Sequence, residues 1–379
     1  MLVKFFTASK FALAALTIGI SHSSGAMAPP PHVSAQAAIV IDARTGSILF
    51  EKNAFLQKDP ASITKMMTAL LVIEKGHLNR VVVVSKKAAL TIGSSMHIGY
   101  RQRYTEMDLL RGLLMRSGND AAVALAEADA GSVDRFVARM NFKAQELGAF
   151  NTAFENPNGL TAPGHYSSAY DLALIAQAAM REPTFRSVVA TREDVVTEQN
   201  SGRSRTIHNT NQLLYGFPGA DGVKTGTTNA AGKCLAASAT RQDRQLIAVV
   251  LNSPNRFGDA ARLLQWGFAN WTTREVARPG QKIAMVPVQN GHSAAVAVHV
   301  PHALWFTYPV GEAYRVHIAL PALLTAPVVK GAPVGRITVT VPNQPPWVEP
   351  LIAGASVTKR SAHRSFWRGI TDRFLNHPR

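Results

Sequence analysis

Asp59-Pro60-Ala61-Ser62-Ile63-Thr64-Lys65-Met66-Met67-Thr68 opens a helical pattern that runs to Lys75 and meets a stop at Gly76. Asp59 suits an N-cap, Pro60 a first turn, and Gly76 a left-handed C-terminal position. Met66, Met67, Ala69, Leu70, Leu71 and Val72 leave little polar surface on any side, so the spacing predicts a helix over 59–75 buried at a domain centre. Ser62 falls in its opening turn, where the positive end of the helix dipole favours developing negative charge. Lys65, three residues on, shares that face. A lysine on so apolar a helix is expected to be desolvated, with a lowered pKa that suits it to take a serine proton.

Around this helix the pattern alternates. Ala37 to Asp42 and Ser47 to Phe50 read as a hairpin across Thr45-Gly46. Helical patterns follow at 106–116, 120–129, 132–147 and 171–180. Lys233 to Thr240 and Leu246 to Asn252 then flank the polar turn Arg241-Gln242-Asp243-Arg244, and Asp259 to Asn270 is helical again. Strand, many helices, strands and helix predict an α+β domain: an antiparallel sheet with helices on its faces and an inserted helical lobe. From 276 to 357 short alternating runs rich in Val, Pro and Gly replace helical periodicity and predict a small all-β domain.

Both ends of the chain are set apart. Lys4 and Lys10 precede an apolar stretch from Phe11 to Ile20, and Ala26-Met27-Ala28 has the small-x-small form of a signal-peptidase site, so residues 1–28 are expected to be an export signal. The apolar stretch is about half the ~20 residues of a spanning helix. In the tail, Phe366, Trp367, Ile370 and Phe374 fall within an arc of about 100° on a helical wheel. Residues 359–379 hold six Lys or Arg and one Asp. Residues 358–379 are therefore read as a basic amphipathic tail lying on an anionic membrane. That leaves 33–275 for the first domain.

The chain has 379 residues, 40 Lys and Arg against 24 Asp and Glu, and a formal charge of +16. A nucleic acid, an anionic membrane or an acidic polymer would each suit that charge. No basic stripe interleaved with aromatics occurs, so nucleic acid is not expected as a partner. The single cysteine, Cys234, reads as a small hydrophobe in a buried strand and excludes an internal disulfide. His97, His165 and His208 are scattered and read as packing or surface residues. No metal or cofactor motif is present.

Two further motifs join Ser62-Ile63-Thr64-Lys65. Ser117-Gly118-Asn119 lies in a break between helices and can present two polar side chains to a cleft. Lys224-Thr225-Gly226 reads as a strand in which Gly226 lets a substrate backbone lie close. Together, in this order, they resemble the serine penicillin-binding proteins and β-lactamases. More narrowly, Asp59 to Thr68, Ser117-Gly118-Asn119-Asp120-Ala121, Pro157-Asn158-Gly159-Leu160, Gly164-His165-Tyr166-Ser167-Ser168-Ala169-Tyr170-Asp171-Leu172 and Asp221 to Gly226 resemble the low-molecular-mass D-Ala-D-Ala carboxypeptidases, peptidase family S11. The likeness spans roughly residues 36–275, and the β domain and basic tail match the family's usual extension.

The resemblance implies a penicillin-binding, β-lactamase-like fold and removal of the terminal D-alanine from peptidoglycan stem pentapeptides, with β-lactams as covalent inhibitors. It implies Ser62 as nucleophile, Lys65 as general base and Ser117 as proton relay. It implies Asn119 as holder of the substrate peptide, Lys224 as a positive charge near Ser117 and the substrate carboxylate, and Thr225 as binder of that carboxylate. Gly226 belongs with them as a substrate-binding position, and the N–H groups of Ser62 and Thr227 as the oxyanion hole. The family often has His at the position of Asn158, to which no chemistry attaches here. An exported protein peripheral to the cytoplasmic membrane follows. A DD-endopeptidase fits the same motifs. A β-lactamase wants Glu-x-x-x-Asn, but four residues after Glu155 stands Gly159. A silent penicillin-binding sensor would not need all the polar motif residues.

Overall fold

A computed structural model describes residues 13–20 and 27–360 apart from Asn343. The chain divides into two compact units, one of residues 26–273 and the other of 274–379 with 1–25. The expected tail helix, with Phe366, Trp367, Ile370 and Phe374, lies outside the described residues.

The first unit is built on a five-stranded antiparallel sheet. We label its strands β1 (Ala37–Asp42), β2 (Ile48–Lys52), β3 (Ala220–Thr228), β4 (Gly232–Arg241) and β5 (Arg244–Leu251). They lie in the order β2-β1-β5-β4-β3, so β3 ends the sheet. Successive side chains of a strand face opposite ways, and here both faces are covered. Ile39, Ile41, Ala236, Ile247 and Val249 join the larger core with the helical lobe. Ala38, Val40, Leu235, Ala237, Ala248 and Val250 pack on the other side against Leu263, Leu264 and Trp266 of the helix Arg256–Asn270. That is why these strands read as near-continuous apolar runs.

The lobe contains the helices α1 (Lys65–Lys75), α2 (Glu106–Met115), α3 (Asn119–Ala130), α4 (Val133–Glu146), α5 (Ala169–Arg181) and α6 (Pro183–Ala190). Thr105, Ser132 and Ser168 cap α2, α4 and α5 by accepting from backbone N–H groups three residues on. The helix predicted over 59–75 begins later. Ala61–Thr64 is a 3-10 turn, Pro60 stands at its cap with no side-chain bond, and the α-helix starts at Lys65. Ala61 takes a φ of 50°, which breaks the α-helical path before Ser62. Gly76 ends α1 in the left-handed conformation, as expected.

The second unit is all β. Its main sheet joins Tyr314–Pro321, Pro333–Thr340, Trp347–Ala353, Ala295–His299 and Lys282–Gln289 in antiparallel neighbours, with Leu324–Thr325 added in parallel at one edge. Val298, Leu351, Ile337 and Val286 lie in its core. At the other edge, the backbone of Leu13–Ile20 runs antiparallel to Tyr314–Pro321. The apolar stretch read as the centre of an export signal is thus extended here.

Candidate active site

Three segments meet at Ser62: its own 3-10 turn, the start of α3, and β3. Lys65 is fully buried, and its Nζ lies 2.8 Å from Ser62 Oγ, 2.7 Å from Asn119 Oδ1 and 2.5 Å from the Asn158 carbonyl oxygen. Burial first, then the nearby charge of Lys224, holds the Lys65 amine well below the usual lysine range, against an upward pull from Asp120. A neutral amine has two N–H donors and one lone pair. The Lys65 amine donates to the Asn119 and Asn158 oxygens and to Ser62 Oγ, and loss of that third proton would turn a lone pair toward the serine hydroxyl.

Asn119 is largely committed within the protein. Its Oδ1 serves Lys65, its Nδ2 donates to the Ile92 carbonyl at 2.7 Å, and its backbone N–H donates to the Ser94 carbonyl. It thereby holds the base and an overlying loop. Asp120, also buried, accepts from Ser95 Oγ and from the N–H groups of Met96, Ile98 and Ala121, which ties that loop to α3.

Ser117 adopts a φ of 62° in the break between α2 and α3. Its hydroxyl has no hydrogen-bond partner among the described residues. Lys224 is buried on β3, where its Nζ donates to the Thr225 carbonyl at 2.9 Å; among the described residues no hydrogen bond joins it to Ser117. Burial, with Arg256 nearby, lowers its pKa to about 7. Thr225 Oγ1 pairs with Thr210 Oγ1 at 2.8 Å.

Gly226 admits a close approach. A Cβ there would sit 3.1 Å from Ala61 Cβ and from the backbone nitrogens of Ser62 and Ile63. Its bare side receives the Ser62 turn. Its carbonyl accepts from Arg256 Nη1 at 2.9 Å, and the same nitrogen donates to Thr227 Oγ1 at 2.8 Å. Cys234 and His165 are packing residues, as expected. Cys234 is buried, and burial raises its thiol pKa to about 11. His165 accepts from the Glu155 N–H at Nδ1 and therefore donates from Nε2 to Thr64 Oγ1.

A family profile described as D-alanyl-D-alanine carboxypeptidase, peptidase S11, matches residues 24–255, more than half the chain. The chain belongs to the D-alanyl-D-alanine carboxypeptidase family. A second profile, the C-terminal domain of penicillin-binding protein 5, matches residues 271–359. The D-alanyl-D-alanine carboxypeptidase DacF of Bacillus subtilis is 35% identical over 80% of this chain and 80% of its own length. DacC of Escherichia coli is 33% identical over 91% and 89%. Penicillin binding protein 5 from Haemophilus influenzae superposes with a TM-score of 0.80 at 32% identity, covering 88% of this chain and 100% of that one. The fold is therefore that of the penicillin-binding proteins, with a C-terminal all-β domain, and the chain is a carboxypeptidase hydrolase of the serine type.

Within this carboxypeptidase fold three residues matter to which the sequence reading attached no chemistry: Asn158, Thr210 and Arg256. Asn158 contributes its backbone carbonyl to Lys65, while its buried side-chain Oδ1 accepts from the Leu160 N–H at 3.0 Å. Thr210 comes from a segment 15 residues before Thr225. Arg256, at the start of the last helix of the unit, reaches back to brace β3. Arg256 carried no sequence signal beyond its place at a helix start, and only the packing of that helix behind the sheet brings it to the site.

Proposed function

We propose that the protein removes the terminal D-alanine from peptidoglycan stem peptides through an acyl-enzyme on Ser62. Ser62 Oγ adds to the carbonyl carbon between the last two D-alanines while its proton passes to Lys65 Nζ. The N–H groups of Ser62 and Thr227 receive the oxyanion; one such donor lowers a barrier by about 3 kcal/mol. The C–N bond then breaks, the departing nitrogen takes a proton relayed through Ser117, and D-alanine leaves. Water hydrolyses the remaining ester. Thr225, with Lys224 behind it, faces the terminal carboxylate, and the outer edge of β3 accepts the peptide as an added strand. Penicillins acylate the same serine.

The observation that carries this reading is the buried Lys65 amine, 2.8 Å from Ser62 Oγ and held toward its neutral form. Digesting a pentapeptide wall precursor tests it by mass spectrometry. The wild-type protein releases one alanine and Ser62→Ala releases none; alanine release by the variant defeats the assignment.

The protein is proposed to work outside the cytoplasm, with residues 1–28 as the export signal and the basic tail on an anionic membrane surface. The six basic residues of 359–379 and the aromatic face of that segment support this. Among the described residues no helix is long and apolar enough to cross a membrane. Deleting residues 359–379 releases the protein from membranes; unchanged fractionation refutes the tail's role.

A further inference from the structure

Residues 356–360 leave the β domain between two of its turns. On one side Val357 exchanges both backbone hydrogen bonds with Val328, and the Lys330 N–H donates to Ser356 Oγ at 3.0 Å. On the other side the His292 N–H donates to the Thr358 carbonyl and the Arg360 N–H to the Asn290 carbonyl. The Ala326 N–H donates to the Gln289 carbonyl, which draws the two turns to one end of the sheet. A cavity of about 640 Å³ opens there, lined among others by Asn290, His292, Lys359 and Arg360, with Val288 and Ala294 as apolar wall.

Charge of one sign gathers at this end. Lys330, Lys359, Arg360 and the His292 imidazole are exposed. None of them forms an ion pair among the described residues. The segments 282–299, 321–336 and 351–360, which build this end, contain no Asp or Glu. Cations without a counter-charge draw an external anion. Val329, beside Lys330, is 64% exposed although apolar. An apolar tip among cations suits the boundary between lipid headgroups and acyl chains.

We propose that this end of the β domain binds the phosphate headgroup of an anionic lipid. The cavity takes the phosphate between Lys359, Arg360 and His292, and Lys330 and Val329 meet the membrane beside it. Ammonium and guanidinium groups both recognise phosphate, the latter through paired N–H donors. The inference rests on the reading that the protein works at an anionic membrane, and it gives the folded domain a share of that contact. Arg360 leads directly into residues 361–379, so the segment proposed to lie on the membrane starts at the wall of the cavity.

The test is sedimentation of full-length protein with vesicles of phosphatidylglycerol and phosphatidylcholine, and with vesicles of phosphatidylcholine alone. His292→Glu and Lys330→Gln are the deciding variants. Neither residue belongs to the tail, and both are exposed, so their replacement leaves the fold intact. Lys330→Gln should weaken binding to the anionic vesicles about fivefold, and His292→Glu at least as much. Lys86→Gln, an exposed lysine of the catalytic unit, should leave it unchanged. Wild-type affinity in both deciding variants overturns the site. An equal loss in Lys86→Gln also overturns it, since net charge alone would then explain the attraction. Weakened binding to inorganic polyphosphate with vesicle binding unchanged would overturn it in favour of a soluble phosphate polymer. A chain lacking residues 361–379 but keeping Lys359 and Arg360 is scored separately. Undiminished vesicle binding by that chain defeats the tail's role, while the two substitutions still decide the site.

Discussion

Gly159 packs directly on Ala61: a Cβ at Gly159 would fall 1.9 Å from the Ala61 carbonyl oxygen and 2.9 Å from Thr64 Oγ1. Ala61 precedes the nucleophile position and Gly159 follows the carbonyl that accepts from Lys65, so this one contact sets both ends of the Ser62–Lys65–Asn158 arrangement. Gly159 also has a φ of 82°, which side chains rarely adopt. Gly159→Ala is therefore expected to destabilise the fold by roughly 2–4 kcal/mol through strain and overpacking. Alanine release should fall at least tenfold in the folded fraction. Calorimetry with steady-state kinetics checks both, and an unaltered kcat would show that the contact does not position the serine.

Lys65 must be neutral to accept the Ser62 proton. Its amine is already pulled below the usual lysine range, so kcat/KM should rise with pH through its lowered pKa and then level, the acid limb reporting that group. Lys65→Arg, always protonated, should lose nearly all acylation by fluorescent penicillin at any pH up to 9. Retained acylation in Lys65→Arg would remove Lys65 from the role of base.

Lys224 gives a stability prediction. Its pKa is about 7 in the folded chain against 10.5 for an ordinary lysine. The unfolded chain binds more protons between those values, so the contribution is full above pH 10.5 and is lost as pH falls toward 7. Lys224→Met should flatten the rise in denaturation midpoint between pH 7 and 10. An identical slope in wild type and variant would contradict the buried, lowered amine.

His165 acts in the same sense at lower pH. Burial first, then Lys65, lowers its pKa from 6.5 to about 4. Stability carried by the neutral ring is present above pH 6.5 and is lost as pH falls to about 4. The ring resonances in a proton NMR titration should stay in the neutral position at pH 5.5. An imidazolium shift there would disprove the Nδ1-acceptor arrangement.

Arg256 braces the Gly226 carbonyl and Thr227 Oγ1. Arg256→Ala should leave the Ser62–Lys65 pair in place but loosen β3, lowering the rate of penicillin acylation by about 10- to 100-fold. Rates equal to wild type would show that β3 holds its place without this brace.

The sequence made the buried helix, the apolar strands and the three polar motifs legible because each is a local pattern. An apolar surface all round Lys65–Lys75 demanded a central position, and Lys65 on it had nowhere to be solvated. Two apolar runs flanking a polar turn likewise predicted the hairpin of β4 and β5. What local pattern missed was the break at Ala61, since alanine gives no signal for a φ of 50°, and the bare Gly159 and Gly226 that pack against it come from distant segments.

Residue type and spacing alone determined that a serine and a lysine would share a desolvated turn in an exported-looking, basic chain. Tertiary structure alone decided which atoms complete that turn. The Asn158 carbonyl lies 93 residues from Lys65 in sequence and the Arg256 guanidinium 30 residues from Gly226. Backbone carbonyls have no identity in a sequence, and contacts over such separations exist only once sheet and helices have packed.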